Sequence, residues 1–197
     1  MSELLDGLRR IVAPDRVRDD DEIHLDEKNP NSICKPVRLD YRGSRWALRV
    51  ESNDHLKLLV GSTDEAKLTG WNRLPDWLVF CEPTKRGRRS HDLWAIVCEL
   101  KSGGKRDASA VRQVQLGKFL VEYLVGLATF ALGRVKDRPW RDRVDIRGLL
   151  VSPRAPTIKW GTGTDDPHDD YQLDQPSQMA IHRASDDDAI RVEDLFE

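Results

Sequence analysis

At 197 residues the chain falls within the range of one domain and is long enough to bury a real core. Three widely spaced cysteines (Cys34, Cys81, Cys98) with no C-x-x-C pair exclude a disulfide framework and a thiolate zinc site. "MSELLDGLRRIVAP" lacks the apolar centre of a secretory leader, and no apolar run reaches the ~20 residues that cross a bilayer, so a reduced, cytoplasmic protein with no membrane partner is expected.

In chain order, Leu4, Leu5, Leu8, Ile11 and Val12 recur at helical spacing, predicting a short helix over residues 2–12 that ends before Pro14. "DRVRDDDEIHLDEKNPNS" reads as a charged loop. "KPVRLDY" and "RWALRVE", joined by "RGS", read as a hairpin with Gly43 in its turn. "LKLLVG" is a candidate short strand. Two strands follow, at about residues 76–82 and 93–101, joined by the turn "EPTKRGRRSHD". A long helix is expected from Ala108 to Leu132. Its run "FLVEYLVGLATFALG" is interrupted by Glu122 and too short to span a membrane, so it reads as a buried core helix. "VDIRGLLVSP" suits a buried strand and "QMAIHRA" an edge strand, with a loop-like stretch between. The expected fold class is therefore α/β (α+β): one domain with a mixed central sheet flanked by helices, in the order helix, strands, hairpin, helix, strand.

The formal net charge of −2 conceals an asymmetry. Residues 73–159 carry 18 Lys/Arg against 9 Asp/Glu, whereas residues 161–197 carry 11 acids and only Arg183 and Arg191. A basic middle beside an acidic end fits a polyanion held on one face; the alternative is ordinary solvated charge.

The chemistry concentrates between Arg73 and Gly104. Side chains alternate along a strand, so Glu99 and Lys101 point the same way while Cys98 and Leu100 point the other. With a turn centred near residues 88–90, Asp76 is expected opposite residues 101–103. Asp76, Glu99 and Lys101 then converge at one end of the hairpin. Two carboxylates suit a hard divalent cation, and a lysine suits a phosphate or a water. A surface hairpin could carry such charges by chance, but "WLVFC" and "WAIVC" are apolar on both faces, as in strands covered on both sides.

Pro75-Asp76, 22 intervening residues, then Glu99-Leu100-Lys101 resembles the motif of the PD-(D/E)XK nuclease superfamily, the restriction-endonuclease-like fold, over roughly residues 73–151. The resemblance implies a helix, a three-stranded antiparallel meander, a helix and a parallel fourth strand. It also implies a Mg²⁺-dependent DNA endonuclease, with Mn²⁺ as a substitute ion and RNA as the alternative substrate. Asp76, Glu99 and the Leu100 carbonyl would hold one or two ions, and Lys101 would position or deprotonate the attacking water. Family members often place a Gln or Lys on the helix after the motif. Gln115, in line with Val111 and Phe119, is preferred to Gln113 for holding the water or a phosphate, with Tyr123 a weaker candidate. Glu3 and Glu51 are the candidates for a fourth acid. A bacterial defence or mobile-element effector is the implied setting, with specificity from a homodimer or a partner protein. The alternative of another class is a non-catalytic nucleic-acid-binding or assembly subunit that keeps the fold.

Other signals carry less. Lys85, Arg86, Arg88 and Arg89 fit either phosphate contact or solubility. None of the five histidines has metal-ligand spacing, and "DDPHDD" lacks the order of a calcium loop. In "SDDDAIRVEDLFE", Ser185 before three aspartates predicts a capped short helix that docks on the basic face and shields it from nucleic acid. The competing expectation is that Leu195 and Phe196 complete the core or bind a partner.

Overall fold

A computed structural model describes residues 2–12, 17–18, 22–26, 34, 36–50, 74–84, 91–100, 108–133, 143–152, 159–160, 179–183 and 189–196. Helix α1 (Glu3–Ile11) starts at Ser2, whose hydroxyl accepts the Leu5 N–H at 3.3 Å. Acids in its first turn and arginines in its last complement the helix dipole. Among the described residues, ten strands and a second helix follow: β1 (Val17–Arg18), β2 (Ile23–Leu25), β3 (Val37–Asp40), β4 (Arg45–Arg49), β5 (Trp77–Cys81), β6 (Leu93–Leu100), α2 (Ala108–Ala131), β7 (Val144–Ser152), β8 (Lys159–Trp160), β9 (Met179–Arg183) and β10 (Ala189–Arg191). A 3₁₀ turn, Val192–Leu195, follows β10.

The strands form two mixed sheets. Seven lie in the order β1-β4-β5-β6-β7-β9-β8 and three in the order β10-β3-β2. β4, β5 and β6 form an antiparallel meander, and after α2 the chain returns as β7, parallel to β6. β5 and β6 are buried at every position because both faces are covered. On one face, Leu78, Phe80, Ala95 and Val97 pack with Leu4, Leu5 and Leu8 of α1 and with Val114, Val121 and Val125 of α2. On the other, Trp77, Val79, Ile96 and Cys98 pack with Ile23 and Leu25 of β2 and Val37 and Leu39 of β3. The three-stranded sheet is thus a lid on the second face, and helices cover the first. All three cysteines are buried thiols.

Four expectations are corrected. The "RGS" segment does not join a hairpin: β3 pairs with β2 and β10, while β4 pairs with β1 and β5. The burial patterns give the reason, since β3 alternates as a one-sided strand and β4 is buried at its centre on both sides. Gly43 is required instead by close approach, because a Cβ there would fall 2.6 Å from the Tyr41 ring. The charged stretch read as a loop contains β1 and β2, with Ile23 and Leu25 buried. β9 is no edge strand, for it pairs with β7 on one side and β8 on the other.

The fourth correction concerns the tail. It forms β10, parallel to β3, in place of a helix, and Ile190, Val192 and Leu195 join the core between the sheets. Phe196 stacks on Trp94, ring centroids 4.6 Å apart. The tail therefore completes the core, as the competing expectation had it, in place of docking as a helix. The candidate strand "LKLLVG", the turn residues 85–89 and "DDPHDD" lie outside the described residues.

Candidate functional site

Asp76 immediately precedes β5, and Glu99 is the penultimate residue of β6. The last rung of this ladder pairs Trp77 with Cys98. One step further sets Asp76 level with Glu99, not with residues 101–103 as expected. The hairpin centre lies slightly earlier in the chain than the sequence suggests, and that shift brings the two carboxylate positions side by side. By strand alternation both project to the face covered by α2, as do Leu78, Phe80, Ala95 and Val97.

Both acids are buried, Asp76 at 7 % and Glu99 at 1 % exposure. Asp76 Oδ2 accepts the Leu100 backbone N–H at 2.7 Å, and the Asp76 carbonyl accepts the Val50 N–H at 2.9 Å. The residue is therefore tied to both neighbouring strands. Just behind it, on the opposite face, burial pushes the Cys98 thiol well above its ordinary value. The nearby charges of Asp76 and then Glu99 add to that rise, followed by Cys34. On the same side as Cys98, Trp77 Nε1 donates to the Asp26 carbonyl at 3.0 Å. Arg49 Nη2 donates to Asp26 Oδ2 at 3.1 Å, with its guanidinium 5.0 Å from the Trp77 ring centroid. This brace fixes the start of β5 to the residue after β2. Sequence reasoning missed it, since Asp26 lies in the stretch that reads as a charged loop.

The helix contribution differs from the expected one. Gln115 is exposed on the outer side of α2 and is not brought to Asp76 and Glu99. Gln113 is the glutamine turned inward, 8 % exposed, with Nε2 donating to the Leu74 carbonyl at 3.0 Å. Two residues along a helix are about 200° apart, so only one of the pair can face the sheet. The inward stripe runs through Val114, Gly117, Val121 and Leu124, and Gln113 belongs to its edge. Gln113→Ala is expected to lower stability by about 1–3 kcal/mol by leaving a buried carbonyl without its donor. Gln115→Ala should stay within about 0.5 kcal/mol of the parent, as surface changes do. Paired thermal melts check both.

No family model, curated protein or solved structure matches this chain. The site therefore stands on its own geometry.

Gly117 sets how closely α2 approaches that site. A Cβ at this position would overlap Val97 Cγ1 and lie 2.7 Å from Pro75 Cγ, so only glycine lets the helix rest on the Pro75–Asp76 entrance. Gly117→Ala should cost about 1–3 kcal/mol through overpacking, despite alanine's better helix propensity. Denaturant unfolding measures it; a gain in stability would mean that the helix is not seated there.

Lys101 and Glu51 lie outside the described residues. Glu3 is exposed in the first turn of α1, a helix whose Gly7 packs against Leu132 beyond the C-terminal end of α2. Among the described residues, no group of three or more His, Cys, Asp or Glu assembles at metal-binding range. Two carboxylates are nonetheless a fitting donor set for Mg²⁺, which binds through one or two carboxylates and completes its shell with substrate phosphate and water.

Proposed function

We propose that the chain is a cytoplasmic, metal-dependent nuclease of the PD-(D/E)XK type that hydrolyses phosphodiester bonds of DNA. The observation that carries this reading is the level placement of buried Asp76 and Glu99 on adjacent central strands, beneath the N-terminal half of α2. Two neighbouring buried carboxylates repel each other and each loses hydration. A protein retains such a pair where a cation or a shared proton repays the cost. The order of elements supports the same reading: helix, antiparallel meander, helix, then a strand parallel to the last of the meander.

In this mechanism Asp76 and Glu99, with the Leu100 carbonyl, would hold Mg²⁺. When bound, the ion supplies Lewis-acid neutralisation of charge on the scissile phosphate. The Leu100 N–H keeps the Asp76 carboxylate in one orientation, fixed to the end of β6. Lys101, two residues from Glu99, orients or deprotonates the attacking water and offsets developing charge. Gln113 acts indirectly, by anchoring α2 to the Leu74 carbonyl two residues before Asp76. The products are a 5′-phosphate and a 3′-hydroxyl.

The test is incubation with supercoiled plasmid, linear duplex, single-stranded DNA and RNA in parallel, with Mg²⁺, Mn²⁺, Ca²⁺ or EDTA. Cleavage of DNA in Mg²⁺ or Mn²⁺, blocked by EDTA and unsupported by Ca²⁺, is expected. A protein that binds DNA and cuts none of these substrates in any metal would be the non-catalytic subunit instead. Cleavage of RNA alone would move the substrate class.

A further inference from the structure

Different elements close the two faces of the sheet around Asp76 and Glu99. α2 covers one face. Over Ala110–Ala131 it meets the length and composition of a membrane span, so the expectation that it is too short is corrected; with Phe119 and Phe130 exposed, it is also not buried all round. The three-stranded lid covers the other face. There Asp26, the residue after β2, collects donors from the two strands that hold Asp76. Trp77 Nε1 donates to the Asp26 carbonyl at 3.0 Å, and Arg49 Nη2 donates to the same carbonyl at 2.8 Å and to Oδ2 at 3.1 Å.

We infer that Arg49 is a positioning residue for Asp76, and that through it the lid sets how tightly the acid pair takes a divalent cation. For the ion, this rests on the nuclease reading. Arg49 and Trp77 are partners in the β4–β5 ladder, so their side chains lie on one face, with the guanidinium 5.0 Å from the ring centroid. Their chain neighbours meet in turn. Val50, next after Arg49, donates its N–H at 2.9 Å to the carbonyl of Asp76, the residue just before Trp77. The brace to Asp26 and the Val50 bond therefore fix the backbone from which the Asp76 carboxylate projects to the opposite face. Trp77 is fully buried among the residues between the sheets, so it cannot tilt without disturbing them.

Asp76 needs this support because it lies beyond the last rung of both ladders, Arg49 with Trp77 and Trp77 with Cys98. The Leu100 N–H orients its carboxylate, whereas a metal ligand must also be held in place to within about 0.5 Å. The Arg49–Asp26 pair itself is part-exposed, at 23 % and 38 %, and such pairs add little to global stability. Its effect is local. The sign of that effect separates position from charge. If only the charge of Arg49 reached the two acids, removing a cation would raise their affinity for a divalent ion; loss of position lowers it.

Calorimetry with Mg²⁺ alone is expected to give Arg49→Ala a dissociation constant about 10–100-fold above the parent's, the range for a residue that orients a ligand from outside the metal's own shell. Arg49→Lys keeps the charge and can reach Asp26 but loses the planar stack on Trp77, and should fall between the two. In the metal-free protein the Val50 and Leu100 amides, both of which donate to Asp76, should exchange hydrogen at least about 10-fold faster in Arg49→Ala. Its thermal melt should drop by no more than about 4 °C. Phe196→Ala, which loosens the far end of β6 at Trp94, is the control and should leave Mg²⁺ affinity and both amides at parental values. Unchanged or tighter Mg²⁺ binding by Arg49→Ala would overturn the inference, as would an equal weakening in Phe196→Ala. A parent chain that binds no Mg²⁺ would remove the nuclease reading, and with it the effect on the ion. Exchange then decides the positioning role alone: faster at both amides upholds it, and parental rates overturn it.

Discussion

Asp76→Asn and Glu99→Gln are each expected to reduce Mg²⁺-dependent plasmid cleavage by at least about 10³-fold, the scale of the several kcal/mol a metal contributes to charge stabilisation. These substitutions keep the shape of the side chain and remove its charge. The amide introduced by Asp76→Asn would still offer an oxygen to the Leu100 N–H that Asp76 Oδ2 now accepts at 2.7 Å, so the strand ends stay tied. Removing one of two adjacent buried charges also relieves their mutual repulsion. The parent should gain melting temperature on adding Mg²⁺, by mass action on the folded state, and neither variant should. Lys101→Ala should lose cleavage to the same degree yet keep the metal-induced rise, since the lysine's proposed work is on water and phosphate. Cleavage at the parental rate in any of the three would sink the site. Unfolded variants at both acids would mean that the pair is structural.

What the sequence makes legible depends on how much of the signal is local. β5, β6, α2 and β7 read clearly because each is a long apolar run with its own punctuation. The burial of Asp76 and Glu99 is also legible, since a carboxylate at or beside a two-sided apolar strand is carried inward wherever the strand pairs. Register does not follow, because an 11-residue connection between β5 and β6 leaves its centre open by a residue or two, and that displacement decides which residue faces Asp76. Gln113 and Gln115 are equally plausible on a helix that is apolar on nearly every side, as the exposed Phe119 makes plain. A pattern with no polar face gives no orientation. β2 is hidden because three residues, Ile23, His24 and Leu25, are too few to show alternation within a run of charges.

The tail gives the largest stability effect. Truncation after Ala184 removes β10 and its following 3₁₀ turn. The sequence alone suggests a helix that shields a basic face, and the loss of such a shield would strengthen binding to DNA. The structure gives the segment different work: β10 supplies the third strand of the lid, and Ile190, Val192 and Leu195 are buried beneath it. Each fully buried aliphatic side chain of this size contributes about 1.5–3 kcal/mol, so three together approach the whole of the roughly 5–15 kcal/mol by which a domain of this size is stable. The cut also unpairs one side of β3 and bares Trp94, on which Phe196 stacks. The truncated chain is therefore expected to unfold below the working temperature or to aggregate. A milder variant keeps the argument testable. Phe196→Ala retains the strand and loses only the ring contact and part of its burial, and should lower stability by about 1–3 kcal/mol with the tryptophan fluorescence of Trp94 shifted to the red. Chemical denaturation followed by fluorescence measures both quantities in one titration. If the truncated chain keeps its melting temperature and binds duplex DNA more tightly, the tail is a shield and not a strand of the core.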